Sequence, residues 1–309
     1  MSTMEERGSK SPDTRAIRKG RLSSLLASAR ARLPRPPVDL RRFDSAQTFR
    51  ASDFGLEAAR IVLTTEDGLR VVAYEVPVPD PKAVVILLAG IHMVVTSLLG
   101  HARMLADHGY ASILLEMRAH GESEGNAITL GFHEPRDVRA AVDYIRRNPR
   151  YAGVPIVVFG LSMGGAVAIN ATGLIPEIAG LVSLSAYSGV DDLLLDGMGA
   201  SGIRAVFLRL LFRFLLCLKY GWGSRHNYPR ERIRQLGERP ALLVHSKRDS
   251  QVSFANFQRL VKNAPPHVET WVREGDMHVI VAEEYFLRPA EDVEYVGRIL
   301  GFFDRHFNR

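Results

Sequence analysis

The chain has 309 residues, of which 46% are hydrophobic and 24% are charged. This is the composition of an ordinary globular protein, so collagen, a coiled coil and a wholly disordered chain are excluded. The single cysteine, Cys217, excludes an intrachain disulfide and any cysteine-based zinc or iron–sulfur site. We expect a cytoplasmic protein, because a chain without disulfides fits a reducing compartment, with peripheral attachment to a membrane as the alternative.

The positive charge is concentrated at the amino terminus. Residues 1–42 contain eleven Lys and Arg against four Asp and Glu, whereas the rest of the chain is close to neutral. Basic segments bind anionic lipid or nucleic acid, but a segment of this composition is typical of a solvated, disordered leader. We predict a disordered basic tail and linker over residues 1–55, with no nucleic acid partner. A weak contact of residues 1–42 with anionic membranes stays open.

Strand-like and helix-like segments alternate from Arg60 onward. Short, nearly continuous apolar runs are typical of a parallel sheet that is covered on both faces. The alternation therefore predicts a doubly wound α/β domain over residues 56–309. The predicted strands are 60–65, 70–77, 83–89, 110–116, 154–160, 180–185, 240–245 and 268–273. The predicted helices are 95–108, 134–148, 163–173, 253–262 and 291–306.

Two segments give more detail. In the predicted helix 134–148, apolar residues recur at the spacing of one buried face; they are Val138, Ala141, Val142 and Ile145. The segment from Ala83 to Gly100 lacks formal charges and is just long enough for a membrane span. It divides into a β-branched strand, a glycine turn and a helix start, so we expect no span there.

Residues 186–238 are too long for a simple crossover between two strands. They include a stretch from Ile203 to Lys219 with apolar residues at helical spacing and three embedded arginines, Arg204, Arg209 and Arg213. We predict a small helical lid insertion at about 186–238. The helix has three interpretations: an apolar wall for a substrate, a buried helix whose arginines reach the surface, or a membrane-interface helix.

The central motif is Gly160-Leu161-Ser162-Met163-Gly164, a G-x-S-x-G match. A strand candidate leads directly into it, and a helix of small residues leaves it. This strand–turn–helix context is that of a nucleophile elbow, which exposes a serine hydroxyl above the sheet. The glycines are needed because the strand and the helix approach closely. Ser162 is therefore the candidate nucleophile.

A serine hydroxyl needs a base, and the base needs an orienting carboxylate. For this elbow the chain order is Ser, then Asp or Glu, then His. Asp249 and His278 satisfy the order, and each follows a predicted strand, where active-site groups of open α/β sheets gather. Other carboxylates stay open as the acid: Glu274 and Asp276 on the histidine's own loop, and Asp191 and Asp192 further upstream.

From Arg60 onward the chain resembles the α/β-hydrolase fold superfamily, in particular its serine aminopeptidase-like and lysophospholipase-like hydrolases. The resemblance is carried by GLSMGG, EMRAHGESEG, HSKRDSQV and GDMH. It implies Ser162 as nucleophile, Asp249 as acid and His278 as base. It also implies that His120, within a structural loop of the family, has no catalytic role.

The chain departs from the family pattern at the first oxyanion loop, where the usual His-Gly is replaced by Ala89-Gly90. Because oxyanion donors of this kind are backbone N–H groups, Ile91 and Met163 can still supply them. At a second departure, His245-Ser246 replaces another His-Gly, which we interpret as harmless.

The expected function is hydrolysis of carboxylic esters through an acyl-enzyme, with no cofactor and no metal. The substrate is a small-molecule acyl ester, and His92 and Leu161 are predicted to contact it. The alternatives are a thioesterase, a peptidase or amidase with the same triad, and a non-catalytic binding protein on a hydrolase fold. The oligomeric state stays open.

Overall fold

Eight strands form a single sheet in the computed structural model, which describes residues 49–199, 202–221 and 227–308. In chain order they are β1 Ala59–Thr64, β2 Arg70–Val76, β3 Val84–Leu88, β4 Ala111–Leu115, β5 Ile156–Leu161, β6 Ile178–Leu184, β7 Ala241–Ser246 and β8 Glu269–Arg273. Each predicted strand is confirmed, with ends within two residues of those expected.

The strand order is β1-β2-β4-β3-β5-β6-β7-β8. The pairs β1–β2 and β2–β4 are antiparallel, and all the others are parallel. The carboxyl ends of β3 and of β5 to β8 therefore lie at one edge of the sheet. Every residue of β3, β4, β5 and β7 is buried, as the continuous apolar runs predict for strands covered on both faces.

The helices alternate with the strands. They are α1 Leu99–Ala106, α2 Pro135–Arg147, α3 Met163–Leu174, α4 Val190–Gly197, α5 Gly202–Tyr220, α6 Pro229–Arg232, α7 Phe254–Asn263 and α8 Val293–Phe307. The helix predicted over 95–108 begins as a 3-10 turn at Val95–Leu98 before α1. The four apolar positions predicted to form the buried face of α2 are all inaccessible to solvent, so this prediction is confirmed.

The apolar segment 83–100 contains β3, a turn, the 3-10 turn and the first residues of α1, as expected. Among the described helices, none is both long enough and apolar enough to cross a membrane.

Most of the predicted tail, residues 1–48, lies outside the described residues. In the remainder, Ala51–Phe54 form a 3-10 turn, and the backbone N–H of Phe49 donates to Thr96 Oγ1 at 3.2 Å. The extent of the tail stays a prediction.

The segment 186–238 contains α4, α5 and α6, and its role as a lid stays a prediction. One interpretation of α5 is wrong, namely that of a buried helix with surface arginines. Arg209 and Arg213 are on its inner side and form ion pairs with carboxylates of other elements, whereas Phe207, for example, is 66% exposed.

The loop after β4 is held by a buried ion-pair network. The Arg118 side chain is 4% exposed, and its Nη2 donates to Oδ1 of the fully buried Asp137 at 2.7 Å. Its Nη1 donates to Asp67 Oδ2 at 2.9 Å. A buried charge is tolerated only when it is paired, so the loop geometry depends on Arg118.

We predict that Arg118→Leu lowers the free energy of unfolding by about 3–5 kcal/mol, because it leaves the buried Asp137 carboxylate unpaired. Arg70→Leu is the matched control. Arg70 pairs with Glu124 at 2.6 Å but is 70% exposed, so its loss should change the free energy of unfolding far less. Urea unfolding of both variants measures the difference. Equal losses of unfolding free energy in the two variants would contradict the stabilising role given to the Arg118–Asp137 pair.

Candidate active site

Ser162 occupies a strained turn between β5 and α3. Its φ is 55° and its ψ is −116°, a region that non-glycine residues enter only when the surrounding structure holds them there. Its backbone N–H donates to the carbonyl of Leu184 in the neighbouring strand β6 at 2.8 Å. The turn is therefore tied to the carboxyl edge of the sheet.

The glycines of the motif allow a close backbone approach. A Cβ on Gly160 would lie 2.1 Å from the carbonyl oxygen of Gly164. A Cβ on Gly164 would lie 2.3 Å from the carbonyl oxygen of Leu88, at the end of β3. Neither position has room for a side chain, which explains why glycine flanks the serine on both sides.

Three side chains from separate loops form one hydrogen-bonded chain. His278 Nε2 lies 2.8 Å from Ser162 Oγ, and His278 Nδ1 lies 2.8 Å from Asp249 Oδ2 and 3.0 Å from Oδ1. A carboxylate accepts hydrogen bonds, so in the neutral imidazole Nδ1 carries the proton. Nε2 is then free to accept a proton from the Ser162 hydroxyl.

The side chain of Asp249 is fully buried and accepts several hydrogen bonds. Besides His278, the backbone N–H groups of Gln251 and Val252 donate to its Oδ1 at 2.8 and 2.9 Å. Burial raises the pKa of this carboxyl, but the hydrogen bonds from His278 and the two N–H groups outweigh burial. The net pKa therefore lies below its usual value, and the group is a carboxylate at neutral pH.

Two residues next to the hydrogen-bonded Ser162–His278–Asp249 chain are not predicted by the sequence analysis. His245 Nε2 donates to the carbonyl of Val252 at 2.9 Å and lies 3.6 Å from Asp249 Oδ2. Burial lowers the pKa of His245, so it adds no charge beside Asp249. Ser246, expected from the sequence to be a harmless replacement, donates its hydroxyl to the carbonyl of Met277 at 2.6 Å. It thereby ties the end of β7 to the residue before His278.

The two predicted oxyanion donors lie on either side of Ser162: Ile91 in the loop after β3 and Met163 at the elbow. A Cβ on Gly90 would lie 3.4 Å from Ser162 Cβ. Gly90 therefore packs against the serine, and Ile91 is the next residue along this loop. Met163 is the first residue of α3, where the backbone N–H has no acceptor within the helix.

A cavity of about 860 Å³ opens beside His278. His92, with a left-handed φ of 55°, lines it. Leu161 is not among the described lining residues; it is 2% exposed and packs in the hydrophobic core. The described lining residues are Phe49, His92, Met93, Val94, Ser97, Ser250, Gln251, Asp276, Met277, His278, Val279, Val281, Phe286 and Leu287.

The four carboxylates considered as alternatives to Asp249 lie in other environments. Glu274 and Asp276 are exposed on the loop before His278. Asp191 and Asp192 are buried, and both pair with Arg230, at 2.6 and 2.5 Å. The carboxylate that contacts His278 is Asp249.

A mostly parallel sheet with a serine at the turn after β5, and with Asp and His in the loops after β7 and β8, defines an α/β-hydrolase. Residues 79–235, just over half of the chain, match the family described as serine aminopeptidase S33, and the chain belongs to this family.

Known proteins are similar to it at low identity. YqkD of Bacillus subtilis is 24% identical over 238 residues, which cover 73% of this chain and 74% of YqkD. The Pyrococcus furiosus esterase Pf2001 superposes with a TM-score of 0.68 at 22% identity, covering 87% of this chain and 99% of that chain. Est1E of Butyrivibrio proteoclasticus, solved with ferulic acid bound, gives a TM-score of 0.59 at 18% identity, covering 78% and 97%. At this identity the structural similarities show the fold alone.

We predict that Gly164→Ala prevents accumulation of folded protein, because its Cβ would overlap the Leu88 carbonyl. Gly297→Ala is the matched control. Gly297 is an exposed position within α8, and a Cβ there meets no atom within 4 Å. The same substitution should then stabilise the protein by about 0.5–1 kcal/mol. Soluble yield and thermal unfolding test both, and a well-folded Gly164→Ala protein would refute the packing argument.

Proposed function

We propose that the protein is a serine hydrolase that cleaves carboxylic esters through an acyl-enzyme intermediate. The observation that carries the proposal is the continuous hydrogen-bonded chain from Ser162 Oγ through His278 to the buried carboxylate of Asp249. This is the arrangement that turns a poor nucleophile into a reactive one at neutral pH.

In the acylation step, Ser162 Oγ attacks the ester carbonyl while His278 Nε2 takes its proton. Asp249 holds the imidazole in the tautomer with the proton on Nδ1 and stabilises the imidazolium that forms. The strained backbone of Ser162 fixes the starting position of Oγ. The low pKa of Asp249 keeps it ionised throughout.

The negative charge that develops on the carbonyl oxygen is stabilised by the backbone N–H groups of Ile91 and Met163. Because both donors are main-chain groups, the replacement of the family's histidine by Ala89 removes neither of them. His278 then gives its proton to the leaving alcohol. A water molecule, activated by the same imidazole, cleaves the acyl-enzyme.

The cavity beside His278 favours a small acyl ester of mixed polarity. Apolar side chains such as Phe49, Val279 and Phe286 suit an acyl chain or an aromatic ring, while Ser97 and Gln251 offer hydrogen bonds. Two proteins of similar fold support an ester substrate. Pf2001 is an esterase, and Est1E binds ferulic acid, a carboxylic acid of the kind that ester hydrolysis releases.

A peptidase that acts on a free amino terminus is the second candidate, and Asp276 is the observation that favours it. This exposed carboxylate lines the same cavity two residues before His278. A carboxylate in that place can pair with a substrate ammonium group. Such an enzyme would hydrolyse aminoacyl amides and lose that activity on Asp276→Asn.

The first experiment treats the purified full chain with a fluorophosphonate and maps the adduct by mass spectrometry. We expect one adduct, on Ser162, and none in Ser162→Ala, whose ester turnover falls by about 10⁶-fold. Parallel assays compare p-nitrophenyl esters, acyl thioesters and aminoacyl anilides of matched size. A higher kcat/KM on the anilides than on the esters would favour the peptidase over the esterase. A folded protein without any adduct would favour the binding-protein alternative.

We predict that Asp249→Asn lowers kcat by about 10⁴-fold, because the amide no longer selects the productive tautomer of His278. Glu274→Gln is the control, since this carboxyl lies four residues before the histidine but is exposed to solvent. Its kcat should stay within about threefold, well below the cost expected for a triad member. Steady-state kinetics on one p-nitrophenyl ester compare the two. A larger loss in Glu274→Gln would assign the acid to that residue.

A further inference from the structure

Helix α5 has its apolar face turned to the solvent. Ile203 is 88% exposed, Phe207 66% and Leu210 64%. Of the described side chains of this 19-residue helix, only that of Cys217 is buried. The exposed residues recur at helical spacing and form one continuous strip, the α5 strip: Ile203, Val206, Phe207, Leu210, Leu211, Phe214, Leu215 and Leu218. At about 1.5 Å per residue the strip is roughly 25 Å long.

The opposite side of the helix is held by charged contacts. Arg209 Nη2 lies 2.8 Å from Oδ1 of the buried Asp192, and Arg213 Nη2 lies 2.6 Å from Glu231 Oε1. The Arg213 guanidinium also lies 4.5 Å from the centre of the Tyr228 ring. These contacts fix the rotation of α5 about its axis, so the apolar face cannot turn inward without breaking them.

Such a strip needs a partner, because a soluble surface rarely exposes so large a continuous apolar area without a function. The charges around it identify the kind of partner. The helix contains no Asp or Glu, and the two outward cations, Arg204 and Lys219, lie near its two ends.

A second copy of the chain would match this surface poorly. In an antiparallel helix pair, Arg204 of one copy would approach Lys219 of the other, and in a parallel pair each cation would meet its own counterpart. The chain's amino-terminal residues 1–42 are no better suited, since they carry eleven Lys and Arg against four acids. Both occupants bring positive charge to positive charge, whereas a surface of anionic lipid has the opposite sign.

We propose that α5 docks on an anionic lipid bilayer. The α5 strip lies at the boundary between headgroups and acyl chains, in the manner of an interfacial amphipathic helix. Arg204 and Lys219 contact lipid phosphates at either end. This inference does not depend on the chemistry at Ser162, and none of the strip residues lines the cavity beside His278 among the residues described.

The test is co-sedimentation of the full chain with vesicles of phosphatidylcholine alone and of phosphatidylcholine with one quarter phosphatidylglycerol. The strip variant carries Phe207→Ser, Leu210→Gln and Phe214→Ser. The control variant carries Val62→Thr, Val272→Thr and Val293→Gln, which alter exposed apolar residues elsewhere (50%, 36% and 83% exposed). We expect the parent and the control to bind the anionic vesicles and the strip variant to bind at least tenfold more weakly.

Two further measurements separate the helix from the basic amino terminus. Binding by charge alone is lost at 0.5 M NaCl, where screening is nearly complete, while binding through the strip persists. Phe207→Trp places a reporter on the strip. We expect brominated phosphatidylcholine in the anionic vesicles to quench its fluorescence beyond the change seen for the two native tryptophans.

Three results would overturn the proposal. The parent chain fails to bind either vesicle, or the strip variant binds as tightly as the parent, or the parent is a dimer by light scattering and the strip variant a monomer that has lost no vesicle binding. Thermal unfolding and fluorophosphonate labelling of each variant are recorded separately. A failure of the membrane proposal is thereby distinguished from a failure of the proposed chemistry or of folding.

Discussion

The structure depends on the close packing of main chain against main chain at the turn after β5. Gly160 and Gly164 let the start of α3 approach β5 and the end of β3 more closely than any side chain would allow. The turn between the two glycines then forces Ser162 into a left-handed backbone conformation, with its hydroxyl 2.8 Å from His278 Nε2. The same approach brings Gly90 against the serine. The geometry of the candidate nucleophile is thus a consequence of backbone sterics.

Much of this arrangement is predictable from the sequence because parallel strands end at one edge of their sheet. Residues that follow β5, β7 and β8 must lie near one another, whatever the loops between them do. That rule places Ser162, Asp249 and His278 in one region from chain order alone. The neighbours of these residues are harder to predict, since His245 and Ser246 make their contacts through the direction of a side chain at a strand end. No spacing rule specifies that direction.

Helix α5 shows a second limit of sequence analysis. Apolar spacing correctly predicts a helix with one apolar face, but periodicity does not state whether that face meets the core or the solvent. The outcome is decided by Asp192 and Glu231, which lie outside the helix and hold Arg209 and Arg213 inward. Because Arg209 and Arg213 pair with these carboxylates, the apolar face of α5 is the face that meets the solvent.

In the proposed reaction, Ser162 becomes acylated during each ester turnover. The most direct measurement is intact mass spectrometry of the full chain, quenched in acid during hydrolysis of a p-nitrophenyl ester, followed by peptide mapping. We expect a transient gain of one acyl group on Ser162 in the parent chain and no such gain in Ser162→Ala. Turnover with an acyl group on another residue, or with none at any time point, would contradict the proposed reaction.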